Sequence, residues 1–293
     1  MKTSAKIIAD TVHPQSADAR IITIEYEMPR NILAELNTHG VIAKCAASSR
    51  AIPVARRIEM AETSPFVPKA FGKNARGMQA RGEIGGEDAA ECFTIWQDAV
   101  NDAVRHAKRM NARGVHKQQA NRILEPYVYV KGVITMTEWD NFFNLRYSPA
   151  ADPEFENLAR EMKIIIDASV PVEGRLHLPY IQEEDKERGL EEQIMVSAAR
   201  VARISYKAHD GTTSAFDKDI ELCRQLLTDR HMSPFDQPAM ADDIIIDEDA
   251  KTGSWANPRH HGRYFGWVPV RREIEKQLGI KSRRDSFEPM ILK

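Results

Sequence analysis

Hydrophobic positions along the chain switch between two periods. Ile21-Ile22-Thr23-Ile24-Glu25-Tyr26 is rich in β-branched residues and predicts a strand. Pro29 suits the first turn of a following helix, with Ile32, Leu33 and Leu36 on one side, running into His39. No period holds over 51–86, where Pro53, Pro65, Pro68 and five glycines predict a long loop with short turns. The clearest helix spans 87–113, where Cys92, Phe93, Trp96, Val100, Ala103 and Ala107 form an apolar stripe and Gly114 supplies the stop. A second helix is expected over 115–125, ended by Pro126, and then an alternating strand over 127–135. A short helix over 138–146 turns Trp139, Phe142 and Phe143 inward. Pro153 opens another, burying Phe155, Leu158 and Met162. The charged stretch 182–192 reads as an exposed connection, and 216–228 as a helix. Few strands among many helices, without regular alternation, predict an α+β fold with a small mixed or antiparallel sheet.

Composition narrows the function classes. The chain has 293 residues, 42% hydrophobic and 29% charged, with a net charge of −2. That balance is ordinary for a globular protein and gives no overall pull toward polynucleotide or acidic membrane. Three widely spaced cysteines, Cys45, Cys92 and Cys223, fit a reducing compartment and no disulfide framework. No apolar run reaches the roughly 18 residues of a membrane span, and residues 1–10 lack a signal-peptide layout. A cytoplasmic protein is expected. The histidines, His260-His261 included, lack metal-ligand spacing, so no metal is expected.

Candidate chemistry concentrates in residues 38–50, Thr-His-Gly-Val-Ile-Ala-Lys-Cys-Ala-Ala-Ser-Ser-Arg. The closing hydroxyls of Ser48 and Ser49 and the planar fork of Arg50 suit a nucleotide phosphate. Cys45 in the middle reads as a small apolar filler. The basic, Gly-rich stretch 72–82 lacks both the Walker and the GxGxxG patterns and reads as a solvated loop.

Together with further segments, this stretch resembles the signature of flavin-dependent thymidylate synthases. His39, Ser48 and Arg50 match, while Thr38 and Gly40 stand where that family has arginines, Ala43 where it has Ser and Cys45 where it has Asn. The lost arginines imply altered contact with the cofactor's phosphates, or a different substrate. Residues 120–126 (Ala-Asn-Arg-Ile-Leu-Glu-Pro) resemble the family's phosphate-arginine element. Residues 137–146 resemble its Asn-Phe-x-x-Leu-Arg element, and Glu154 its following acidic position. Residues 199–206 and 231–237 resemble the Ala-Arg-Val-Ser-Tyr and His-x-Ser-Pro-Phe-Glu-His elements that ordinarily come first, which implies circular permutation. The strand 21–26 would then lie beside the region just after Gln237.

The resemblance implies one catalytic domain over 1–293. Substrate and His motifs fall in 1–180, permuted flavin-site elements in 190–240, and 241–293 is an unassigned extension. It implies His39 and Arg146 as catalytic residues, and Ser48, Ser49, Arg50, Arg122 and Arg146 on the substrate. His39, Asn141, Ser205, His231, Ser233 and Asp236 are implied on the flavin. Ser48 binds and is not a nucleophile. FAD, with NADPH and methylenetetrahydrofolate as co-substrates, would methylate C5 of a uridine monophosphate, dUMP by default. A homotetramer with sites between subunits is implied, with no polynucleotide partner. Three alternatives stay open: a UMP/dUMP methylase of nucleoside-antibiotic biosynthesis, a phage pyrimidine hydroxymethylase, and a non-catalytic nucleotide-binding relative. The 281–293 segment reads as a tail or an arm onto a neighbouring subunit.

Overall fold

The computed structural model describes residues 3–206 and 215–280. Its first half runs β1 (Ser4–His13), β2 (Ser16–Pro29), α1 (Leu33–Asn37), β3 (Ala43–Ala46), α2 (Val54–Thr63), α3 (Gly86–Ala112), α4 (Lys117–Ala120), β4 (Tyr129–Met136), α5 (Asp140–Arg146) and α6 (Pro153–Ala168). The second half adds β5 (Val172–Glu173), β6 (Leu176–His177), α7 (Leu190–Tyr206), α8 (Phe216–Thr228), β7 (Ala239–Ala241), β8 (Ile244–Asp247), β9 (Thr252–Trp255), β10 (Trp267–Pro269) and α9 (Val270–Gln277). The chain is α+β, as its periodicity predicts.

The main sheet has the order β3-β4-β2-β1-β5 and is antiparallel except for the short β1–β5 pairing. Register decides what each face carries, because side chains alternate across a strand. Ile22 pairs with Met136, Ile24 with Ile134 and Tyr26 with Gly132. These positions share one buried face with Leu36, Phe142, Phe155 and Met162 from α1, α5 and α6. Gly132 is required by close approach: a Cβ there would lie 2.3 Å from the Tyr26 hydroxyl.

The opposite face carries Thr23, Thr135, Ala43 and Cys45. A chain of buried hydrogen bonds crosses it. Thr11 Oγ1 bonds His177 Nδ1 at 2.9 Å, His177 Nε2 bonds Thr23 Oγ1 at 2.7 Å, and the Thr23 and Thr135 hydroxyls meet at 2.6 Å. Thr135 then donates to Gln237 Oε1 at 2.6 Å. Burial pushes His177 down to about 3, so its ring is neutral and offers one donor and one acceptor. The chain ties the second half of the sequence to the sheet, because a broken link would strand a polar atom away from water.

Further polar anchors fix the second half. Asp219, fully buried, accepts from Arg200 Nε at 3.0 Å and Arg203 Nε at 2.6 Å, locking α8 to α7. The Asp242 carboxylate accepts from the Asn257 backbone N–H at 2.7 Å and bonds His261 Nε2 at 2.8 Å. A three-stranded sheet of order β10-β7-β6 packs on β2, where Trp267 Nε1 donates to the Ala19 carbonyl at 3.0 Å. Ile21, Ala43, Ala239 and Trp267 share one buried cluster. Residues just after Gln237 thus lie against the start of β2, although β7 pairs with β6 and β10 and not with β2.

Four local expectations need correction. The segment 51–86 contains α2, which starts directly after Pro53 and buries Val54, Ile58 and Ala61 at helical spacing. The helix expected over 115–125 divides into α4 and a 3-10 stretch that includes Pro126, because proline lacks the N–H an α-helix needs. The stripe on α3 is buried only at Val100, Ala103 and Ala107. Cys92 and Trp96 are half-buried and Phe93 is exposed, because the front of this long helix is covered by the loop carrying Phe66 and Phe71 and by the ring of Tyr127, and by no further layer among the described residues. The connection 182–192 holds one buried residue, Asp185, paired with Arg200. The expected tail at 281–293 lies outside the described residues.

Candidate functional site

His39 sits just past the end of α1, where its N–H donates to the Leu36 carbonyl at 3.2 Å. Glu35, Thr38 and His39 fall one helical turn apart and so share a side. Arg146, in the last turn of α5, reaches all three. Its Nε donates to His39 Nε2 at 2.9 Å, one terminal nitrogen to Glu35 Oε2 at 2.9 Å, and the other to Thr38 Oγ1 at 3.4 Å. The guanidinium carbon lies 4.6 Å from the Phe155 ring centroid, and the His39 ring meets Phe142 edge-on at 5.2 Å. Burial first, then the positive charges of Arg146 and Lys44, push His39 down to about 4. The imidazole is therefore neutral at physiological pH. A guanidinium only donates, so Nε2 is the acceptor and the ring proton sits on Nδ1. Two of the five Arg146 N–H donors remain for a ligand.

A second cluster lies past the other end of β3, a strand that spans roughly 10 Å at about 3.3 Å per residue. Buried Ser49 donates to Glu125, and Asn121 Nδ2 donates to the Ser49 and Ile52 carbonyls at 2.7 and 2.8 Å. Arg122 donates to the same carboxylate at 3.0 Å, and Arg30 Nε lies 3.1 Å from it. Burial acts to raise the Glu125 carboxyl, but the Ser49 hydroxyl, Arg30 and Arg122 outweigh it and hold it below its ordinary value. Behind this cluster Arg57 is 1% exposed, and none of its three side-chain nitrogens has a hydrogen-bond partner among the described residues. Burial, followed by repulsion from Arg30, pushes it down to about 10.

The structure thus divides the predicted residues. His39 and Arg146 touch. Ser49 and Arg122 share Glu125, with Ser48 half-buried and Arg50 exposed beside them. Asn141 is exposed on α5, and His231 is exposed just after α8. Ser233 is half-buried ahead of Asp236, which lines a cavity with Ala43. Ser205 ends in the last turn of α7, and its side chain lies outside the described residues. Cys45 is 8% exposed and packs with Val133 and Val201.

The family profile described as "Thymidylate synthase complementing protein" matches residues 3–172, more than half of the chain. The chain belongs to that family. The matched span includes His39, Ser48, Ser49, Arg50, Arg122, Asn141 and Arg146, and leaves out Ser205, His231, Ser233 and Asp236. No curated protein matches the chain. Two solved structures of a UMP/dUMP methylase, PolB from Streptomyces cacaoi, are similar to it at 14% identity. The form bound with 5-Br UMP has a TM-score of 0.49 and the form bound with 5-Br dUMP one of 0.47. Each covers 57% of this chain, and 89% and 90% of the respective PolB chains are covered. No described helix is long and apolar enough to cross a membrane.

Several participants escaped the sequence reading. Glu35 precedes His39 by four residues, a spacing that brings it to the same helical side. Glu125 sits inside the segment that carries Arg122, where the arginine drew the attention. Arg57 gave no signal while its segment read as a loop.

Proposed function

We propose that the protein catalyses flavin-dependent reductive methylation at C5 of a uridine monophosphate, with dUMP the default substrate, methylenetetrahydrofolate the carbon donor and NADPH the reductant. Family membership supports the reaction class. The observation that carries the residue assignment is the neutral His39 that accepts a hydrogen bond from Arg146.

Methylation at C5 needs a pyrimidine whose ring accumulates negative charge. Arg146 is held rigidly by Glu35, Thr38 and His39. Its two remaining donors suit the uracil edge and stabilise that charge without reorganisation. Neutral His39 fixes the guanidinium plane without adding a second positive charge. At the other end of β3, Ser48, Ser49, Arg50 and Arg122 take the phosphate; Arg122 would exchange its exposed bond to Glu125 for one to the nucleotide. Holding both ends of the substrate turns a bimolecular encounter into an oriented one.

No side chain supplies hydride, so a bound flavin would provide the reducing equivalents. The residues present fit such a group. Neutral His39 stands on an aromatic wall of Phe142 and Phe155, and the cavity beside Ala43 and Asp236 carries guanidinium groups. Asn141, Ser205, His231, Ser233 and Asp236 complete the flavin assignment, through the permuted order of elements and a tetramer whose sites lie between subunits.

Arg146→Ala tests the assignment through nucleotide binding. Losing a charged hydrogen bond costs about 1.5–3 kcal/mol, so dUMP affinity by calorimetry should fall roughly ten- to a hundredfold. Unchanged affinity would remove Arg146 from the substrate site.

A further inference from the structure

Beside the Ala43 end of β3 lies a cavity of about 210 Å³, lined by Ala43, Asp236, Arg263, Tyr264, Arg271 and Arg272 among others. A water molecule in the liquid takes about 30 Å³, so the space holds several waters or a compact polyatomic anion. Apart from Ala43, these residues come from the part of the chain beyond the family match.

Three guanidinium groups meet two carboxylates here. Arg271 donates to Asp236 Oδ2 at 3.0 Å and to Glu275 Oε1 at 2.6 Å, while Arg272 donates to Glu275 Oε2 at 3.1 Å. The Nε of Arg272 is buried with no hydrogen-bond partner among the described residues. Arg263 is exposed and forms no hydrogen bond or ion pair with a described residue. It follows Gly262, whose φ of +69° makes the turn that presents it. One positive charge is left over.

Local backbone sharpens the imbalance. Arg271 and Arg272 occupy the first turn of the eight-residue helix α9, and no side chain caps that end. A helix N-terminus carries partial positive charge and disfavours cations by roughly 0.3–1 kcal/mol each. Two arginines in that turn and a third beside it make an arrangement that an oxyanion in the cavity completes.

We infer that this cavity is an oxyanion site for the diphosphate of a nucleotide, held by Arg263, by Arg272 and by the first turn of α9. The inference rests on the proposed function where it identifies that diphosphate with the one in FAD. Ala43 lines the cavity, and Lys44, the next residue, donates to the His39 carbonyl at 2.5 Å. A diphosphate bound there therefore sits at the His39 end of β3.

The test measures binding of FAD, FMN, ADP and dUMP to the full-length protein and to Arg263→Gln, by flavin fluorescence and calorimetry. Arg263 is exposed and unpaired, so the variant should fold; thermal unfolding checks this. Wild type should bind ADP, and FAD more tightly than FMN. Arg263→Gln should weaken FAD and ADP roughly ten- to a hundredfold and leave dUMP unchanged. FAD binding that is indifferent to Arg263→Gln overturns the inference and leaves the proposed function standing. ADP binding that depends on Arg263, without any FAD binding, supports the diphosphate site and defeats the flavin reading. Binding of neither ligand overturns the inference. A loss of dUMP binding equal to that of ADP would reassign the cavity to the substrate's monophosphate and overturn it as well.

Discussion

Replacing His39 with Gln isolates one ionisation in the candidate site. The amide oxygen still accepts from Arg146 Nε, but the group no longer titrates. In the wild type, His39 is 7% exposed and pushed from its ordinary 6.5 down to about 4. Below pH 6.5 the unfolded chain takes up this proton, and the folded chain does so only below about pH 4. Falling pH across that window therefore favours the unfolded state. The stability linked to a neutral His39 is complete above pH 6.5 and is lost as pH drops toward 4. Integrating the linkage between about pH 7.5 and 4.5 gives a loss of roughly 2.5 kcal/mol from this residue alone. His177, pushed down to about 3, adds a loss of the same sign in both proteins, so the comparison cancels it. Urea unfolding followed by far-ultraviolet circular dichroism at the two pH values supplies the measurement. Wild type should lose about 2–3 kcal/mol more than His39→Gln. Equal losses would mean that His39 is not held neutral by its surroundings, and the account of the Arg146 clamp would fail.

Two other substitutions probe the framework. Arg57→Met removes a buried guanidinium with no hydrogen-bond partner among the described residues; its fall to about 10 corresponds to roughly 3 kcal/mol at about 1.36 kcal/mol per pH unit. The variant should raise the urea midpoint, and a lowered midpoint would show that the charge has a structural partner. Gly132→Ala drives a methyl into the Tyr26 hydroxyl, which stands 2.3 Å from the new Cβ position. It should cost about 1–3 kcal/mol, and a variant as stable as wild type would refute the close approach of Tyr26 to β4.

How much of this was legible in the sequence follows from where the signals are local. The β-branched run 21–26 and the helical stripes after Gly86 and Pro153 express single-element burial, and each element formed. Val54, Ile58 and Ala61 had helical spacing too, but the prolines and glycines downstream obscured it. His39 and Arg146 stood out as residue types, and their contact depends on α1 and α5 packing on the same sheet face, 107 residues apart in sequence. Glu125 shows the limit more sharply. A carboxylate inside a segment expected to bind phosphate looks misplaced until Arg30, Ser49 and Arg122 surround it. The cavity at Arg263 was beyond reach, because Ala43 and α9 meet only through long-range packing.

The most direct test of the central claim supplies the purified protein with FAD, NADPH and methylenetetrahydrofolate, and weighs the products from dUMP and from UMP by mass spectrometry. The account predicts a nucleotide heavier by one methylene, with NADPH consumed and the product lost on omission of the flavin. A hydroxymethyl mass would shift the product class, and UMP preferred over dUMP would shift the substrate. Unaltered dUMP and UMP in the presence of every component would contradict the account.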